Sequence, residues 1–248
     1  MLVSKQGGTL ETIRKADDLM IAIYNEDAIE HVAKMKTESI DLIVTDPPYG
    51  ISYRTSWRSD KQHRFCREIV NDKDLSAFSA ISKQLFRVLK NDSAIFVFCA
   101  WRKSAETMSI LEGSGFKVAN QIIWDKGNTT AGDLTGSFGY QYEVIIYAKK
   151  GSPKLRGKRF SDIWRYARVS PDKLKHQNEK PVFLLERAII AFSDEGGVIF
   201  DPFAGSGSTG VAAINLNRGF VGCEIDQDYF EIADERLKKE QAQGRLAI

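Results

Sequence analysis

From Leu19 to Lys239, short apolar runs alternate with stretches of helical period. That alternation confines the chain to a sheet whose strands are joined by helices. Leu19–Tyr24, Ile40–Thr45, Ala94–Cys99, Val118–Trp124, Glu143–Ala148, Gly197–Phe200 and Gly219–Cys223 read as strands. Leu75, Phe78, Ile81, Leu85 and Val88 repeat at helical spacing, as do Val182, Leu185, Ile189 and Phe192. Further helices are expected over Arg102–Leu111, Thr209–Asn217 and Asp228–Lys239, and Asp27 stands where a helix N-cap belongs. The expected fold class is α/β, a doubly wound and mostly parallel sheet, with residues 1–248 forming one domain. Ligands of such sheets bind at the carboxyl ends of the strands.

Two segments follow apolar strands directly and should therefore open onto that edge. The later one is Asp201-Pro202-Phe203-Ala204-Gly205-Ser206-Gly207-Ser208-Thr209-Gly210. Its three glycines make a Gly-x-Gly-x-x-Gly pattern between strand and helix, and Glu224 ends the next strand. Glycines let the backbone approach a ligand, and an acidic residue there accepts hydrogen bonds from ribose hydroxyls. Alone, this pattern also suits a nicotinamide or flavin dinucleotide, or a βα turn that glycines merely tighten. Asp201 and Phe203 point instead to S-adenosylmethionine: a carboxylate for its ammonium group, and a ring near its adenine or sulfonium. Little chain follows Gly210, so the cofactor half must complete its sheet with N-terminal strands, in a permuted order.

The earlier segment is Asp46-Pro47-Pro48-Tyr49. The exocyclic amine of adenine is a poor nucleophile because its lone pair is spread into the ring. Asp46 and the Pro47 carbonyl, which the proline ring helps to position, can accept its hydrogens, and Tyr49 can stack on the base. A base inside a duplex must be flipped out to reach such a loop, at a cost of a few kcal/mol; stacking returns roughly 1–3 kcal/mol. Read alone, an Asp-Pro-Pro turn is also a structural corner.

Net charge is only +2, so composition does not announce a nucleic-acid partner, but the basic residues are unevenly placed. Residues 149–175 hold Lys149, Lys150, Lys154, Arg156, Lys158, Arg159, Arg165, Arg168, Lys173 and Lys175 against only Asp162 and Asp172, with Phe160, Trp164 and Tyr166 interleaved. That pattern suits phosphate and base contacts, although most charge runs are solvated loops. Residues 51–71, with Arg54, Arg58 and Arg64, are long for a plain connection and are expected to form a mobile DNA-contacting loop. The expected DNA contacts are Arg54, Arg58, Arg64, Arg156, Lys158, Arg159, Trp164 and Arg168.

Cys66, Cys99 and Cys223 are widely spaced, so no disulfide framework and no metal site are expected; buried thiols are. No apolar run is long enough to span a bilayer and the first residues lack a signal-peptide core, so a cytoplasmic location is expected.

The two motifs, in this order, resemble the amino-group DNA methyltransferases of the permuted β arrangement, from about Leu19 to Leu237. The resemblance implies a Rossmann-like methyltransferase sheet with a small target-recognition insertion at residues 150–175. It implies transfer of a methyl group from S-adenosylmethionine to the N6 amine of adenine in double-stranded DNA, with Asp46, Pro47, Pro48 and Tyr49 as the catalytic loop. The cofactor set it implies is Asp27, Asp46, Lys180, Asp201, Phe203, Ala204, Gly205, Gly207, Ser208, Thr209 and Glu224. Lys180-Pro181 matches the family's His-Pro-x-x-Lys-Pro stretch, which borders the methionine part of the cofactor, while Gln177 departs from it. Asp27 answers to an adenine-contacting turn, although Asn25 and Glu26 depart from the pattern. A homodimer and a cognate restriction endonuclease are partners known in such families. Cytosine N4 is the alternative target, since serine rather than aspartate is commoner at position 46 there. A nicotinamide-dependent oxidoreductase and a non-catalytic DNA-binding module are the alternatives of other classes.

Overall fold

The computed structural model describes residues 12–16, 19–48, 74–129, 135–136, 138–170 and 179–244. Tyr49 and the 51–71 segment with Arg54, Arg58 and Arg64 lie outside the described residues.

The described strands are β1 (Thr12–Ala16), β2 (Leu19–Tyr24), β3 (Ile40–Thr45), β4 (Leu89–Cys99), β5 (Lys117–Asp125), β6 (Tyr142–Lys150), β7 (Ile163–Arg165), β8 (Val198–Asp201) and β9 (Gly219–Cys223). The helices are α1 (Ala28–Lys34), α2 (Ser76–Val88), α3 (Ser104–Gly113), α4 (Val182–Phe192), α5 (Ser208–Asn215) and α6 (Gln227–Gly244). One sheet contains all nine strands in the order β1-β2-β9-β8-β3-β4-β6-β5-β7. From β2 to β4 every pairing is parallel; β1 and β6 run against their neighbours. The short β7, inside the basic segment, adds a parallel edge strand on β5 that periodicity did not reveal.

Side chains alternate along the strands, so the sheet has two apolar faces to cover. On β4, Ala94, Phe96 and Phe98 join the core under α4, α5 and α6. Ile95, Val97 and Cys99 join the core under α1, α2 and α3. The sheet is thus wound on both faces, as expected. Cys99 and Cys223 are buried free thiols, and burial pushes Cys99 up to about 12.

The position of the two special loops follows from the strand order. β3 pairs with β8 at the centre of the sheet. The chain leaves β3 toward β4 on one side, and leaves β8 toward β9 on the other. Connections depart in opposite directions at this point, so a crevice opens between the carboxyl ends of β3 and β8. Asp46 follows β3 directly, and Pro202 follows β8. Two segments 155 positions apart in sequence (201 − 46) are placed side by side by a register of adjacent strands.

Candidate active site

Thr45 closes β3 and turns its hydroxyl toward β8, donating to Asp201 Oδ1 at 2.9 Å. Thr209, in the first turn of α5, donates to Asp201 Oδ2 at 2.7 Å, and the Phe203 N–H donates to Oδ1 at 3.1 Å. Asp201 is 2% exposed. Burial pushes its carboxyl up to about 6, against the three donors, which pull it down. The three donors fix the cofactor loop to the end of β3, and the two carboxylate oxygens keep roughly one further acceptor position. Ser208 is also buried, and its Oγ lies 3.0 Å from Arg236 Nη1, so it too has an internal task.

The glycines divide their work. Gly205 and Gly207 have φ of +52° and +77°, a region in which side chains are strained. A Cβ on Gly210 would lie 2.5 Å from Leu237 and 2.9 Å from Phe220, so this glycine lets α5 close on β9 and α6. The Gly205 N–H donates to Glu224 Oε2 at 2.8 Å, and the Asp226 N–H donates to Oε1 at 2.9 Å. Burial pushes the Glu224 carboxyl up to about 7. Two oxygens have roughly four acceptor positions, so room remains for a diol at the mouth of the turn. Ala204 is buried, its N–H bound to the Cys223 carbonyl at 2.9 Å, and Phe203 packs in part against the core. Asp27 caps α1, accepting from the Ile29 N–H at 2.7 Å.

Across the crevice, Lys180 is ion-paired with Asp46. Lys180 also lies 3.5 Å from Glu143 Oε2, and Lys126 lies 2.6 Å from Glu143 Oε1. The four groups form a line of alternating charge along the carboxyl edge. Burial works against the Lys180 ammonium, yet Asp46 and Glu143 overcome it and hold its pKa above the usual lysine value. Burial likewise works against ionised Glu143, and Lys180 with Lys126 holds it below the usual carboxylate range. Lys180 lies 5.3 Å over the Phe98 ring. The adjacent Glu179 is ion-paired at 2.8 Å with Arg236 of α6, so the segment entering α4 is tied at both ends of the crevice.

Sequence reading had singled out Asp46 and Lys180 but not Glu143, Lys126, Thr45, Glu179 or Arg236. Glu143 carried one available signal: a charged residue opening an otherwise apolar strand. Pro47 is buried and Pro48 half-buried beside Asp46. Together, Asp46, Lys180, the Gly205–Gly207 turn and Glu224 can hold a nucleoside that bears an amino acid, and present an acceptor to a planar amine.

The expected DNA contacts do not all share this edge. Trp164 is 4% exposed, packs 6.1 Å from Phe96 and donates its indole N–H to the Ser161 carbonyl at 2.9 Å. It is a core residue, which corrects its assignment to the DNA surface. Arg156 binds Asp194, its N–H donating to the Ala191 carbonyl at the end of α4. It lines a cleft of about 270 Å³ with Asp41 and Gly197, where β3 and β8 begin. That is the opposite edge of the sheet from Asp46, a second correction. Lys158 and Arg159 are exposed. Arg168 is exposed just beyond β7, whose end pairs with Asp125 at the carboxyl edge. Of the described basic residues in the 150–175 segment, Arg168 and its neighbour Arg165 share the edge with Asp46.

With this geometry established, known proteins supply a comparison. A family model described as DNA methylase matches residues 40–235. Type II methyltransferase M2.DpnII of Streptococcus pneumoniae is 31% identical, over 95% of this chain and 96% of that protein. Type II methyltransferase M2.MboI of Moraxella bovis is 30% identical, over 90% of this chain and 89% of that one. Among solved structures, the M1.HpyAVI–SAM complex is 28% identical with a TM-score of 0.69, covering 88% of this chain and all of that one.

Proposed function

Because the chain belongs to the DNA methylase family, we propose that it transfers a methyl group from S-adenosylmethionine to the N6 amine of adenine in double-stranded DNA, with the target base flipped into the crevice. The observation that carries this reading is the Lys180–Asp46 pair, which ties the segment entering α4 to the first residue of the proposed catalytic loop.

The cofactor supplies an electrophilic methyl group on a sulfonium. Each protein group then has a definite task. Glu224 accepts from the ribose hydroxyls, and the Gly205–Gly207 turn admits close backbone approach. Lys180 draws the cofactor carboxylate toward the Asp46 side. Asp46 and the Pro47 carbonyl accept the two amine hydrogens, turning the nitrogen lone pair out of the ring plane and toward the methyl group. Proximity and alignment supply most of the rate in such an in-line transfer. As the amine gains the methyl group it becomes acidic, and its proton leaves to Asp46 or water. Tyr49 is assigned to stacking on the base.

Arg168, with Arg165, reaches phosphate on the same edge, and residues 150–175 serve target recognition through this carboxyl-edge half. No described helix is long and apolar enough to cross a membrane. A cytoplasmic location, a homodimer and a cognate restriction endonuclease complete the proposal; the Type II names of the relatives support the last.

The test is nucleoside analysis of duplex DNA incubated with the protein and S-adenosylmethionine. N6-methyladenine is expected; N4-methylcytosine alone would move the target to the other amine.

A further inference from the structure

Large aromatic side chains are seldom left in water without a task, and an exposed group of them marks a contact surface. Four described aromatics are exposed beside the crevice: Trp101, Phe138, Tyr140 and Tyr142. Trp101 begins the 3₁₀ turn that follows β4, and Tyr140 and Tyr142 lead into β6. The turn is closed by the Lys103 N–H, which donates to the Ala100 carbonyl at 2.8 Å. The rings of Trp101 and Tyr140 lie 6.4 Å apart at 32°. Arg102 joins them: its guanidinium sits 5.2 Å over the Trp101 ring, and its Nη2 donates to the Tyr140 hydroxyl at 3.5 Å. Among the described residues no carboxylate is ion-paired with Arg102; Lys103 beside it is neutralised by Glu106 at 2.8 Å.

The platform lies on the same edge as Asp46. β4 is one strand from β3 and β6 is two. Adjacent strands are about 5 Å apart, so the rings stand roughly 5–10 Å along the edge from the catalytic loop. That is the reach of one to three nucleotides at about 3.4 Å each. Eversion of a base removes a stacking partner from its neighbour and exposes an apolar ring face. A tilted aromatic pair presents the matching surface, and the Arg102 guanidinium, ion-paired to no carboxylate among the described residues, matches the adjoining phosphate.

We propose that Trp101, Arg102 and Tyr140 form a second DNA contact, which stacks on the base next to the everted one and holds the phosphate beside it. This rests on the DNA methylation reading above and adds a surface to it. None of the three residues belongs to the catalytic loop or the cofactor turn.

The test measures affinity for a labelled duplex by fluorescence anisotropy over a series of salt concentrations, together with methyl incorporation into the same duplex. Trp101→Ala should weaken DNA binding about tenfold, or about 1.4 kcal/mol, with cofactor affinity and melting temperature unchanged. Trp101→Phe should keep most of the affinity, because the ring is retained. Arg102→Ala should reduce the slope of log affinity against log salt by about 0.9, one phosphate contact. Wild-type protein that methylates the duplex while folded Trp101→Ala and Tyr140→Ala bind it as tightly overturns the platform alone. Wild-type protein that methylates no DNA overturns the underlying reading, and the platform with it.

Discussion

The Thr45 hydroxyl donates to Asp201 Oδ1 at 2.9 Å, so the residue before Asp46, the proposed catalytic aspartate, is bonded to the residue that opens the cofactor loop. The two loops are therefore one assembly, held by a buried carboxylate with donors from β3, the turn after β8, and α5. Thr45→Val keeps the shape and deletes one donor. A hydrogen bond to a buried charged group is worth about 1.5–3 kcal/mol. For a chain of this size each kcal/mol is about 2–4 °C in melting temperature. Thermal unfolding should show a drop of several degrees, with a parallel fall in turnover because Asp46 loses its support. Normal turnover in a destabilised variant would separate the clamp from the chemistry.

Asp201 also gives stability a pH dependence of known sign. Its folded pKa is raised to about 6 from 3.8, so the folded state holds its proton over a range where the unfolded chain has lost it. The contribution is complete below about pH 4 and is lost as pH rises through 6. Asp201→Asn removes that slope. Melting temperatures of the two proteins should converge, or cross in favour of the variant, between pH 4 and 7. A constant difference across that range would refute the assignment.

Lys180 and Glu143 should affect catalysis differently from a simple loss of fold. Lys180→Met takes the ammonium away from both Asp46 and Glu143, whose carboxylates then gain protons at higher pH. The acid limb of the kcat profile should move upward in pH and cofactor KM should rise. Glu143→Gln leaves the Lys180–Asp46 pair and removes one carboxylate from the line; about a tenfold loss in kcat/KM is expected, smaller than that of Lys180→Met. An unmoved pH profile in Lys180→Met would show that the lysine does not govern Asp46.

As the proposed ribose ligand, Glu224 should make cofactor affinity depend on pH. A carboxylate accepts from the ribose hydroxyls, whereas a protonated carboxyl gives up one acceptor position. With its pKa at about 7, affinity should weaken as pH falls from 8 to 6. Glu224→Gln should bind more weakly at pH 8 and show little change over the same range. Calorimetric titration at three pH values checks this; equal pH slopes for both proteins would remove Glu224 from the ribose contact.

The basic segment should split by edge. Arg156→Glu breaks the contact with Asp194 on the far edge and should leave DNA affinity unchanged. Arg168→Glu, on the edge with Asp46, should weaken binding and flatten its salt dependence. Trp164→Ala should cost about 3–5 kcal/mol of stability, as expected for a buried aromatic. Reduced DNA binding by a fully folded Trp164→Phe would contradict its placement in the core.

Much of this molecule was legible in the residues, for physical reasons. Buried parallel strands are continuous apolar runs, so Ile40–Thr45 and Gly219–Cys223 were found with the boundaries the structure gives them. The permuted order followed from where the motifs fell along the chain. What escaped depends on partners distant in sequence. Thr45, Glu143 and Arg236 are ordinary residues whose meaning comes from Asp201, Lys180 and Glu179 across the crevice. Trp164 looked like a DNA contact because basic residues surround it; the three-residue β7 that buries it is too short to show a period. The donors that face Asp201 come from β3, the turn after β8, and α5, and sequence does not bring them together.

The central claim is that Asp46 directs a methyl group onto the amine of adenine. Duplex DNA should be incubated with wild-type and Asp46→Ala protein and labelled S-adenosylmethionine, then digested to nucleosides for mass spectrometry. The expected result is N6-methyladenine from the wild type and none from the variant, with cofactor binding by the variant largely retained. N6-methyladenine formed by Asp46→Ala at the wild-type rate would contradict the account.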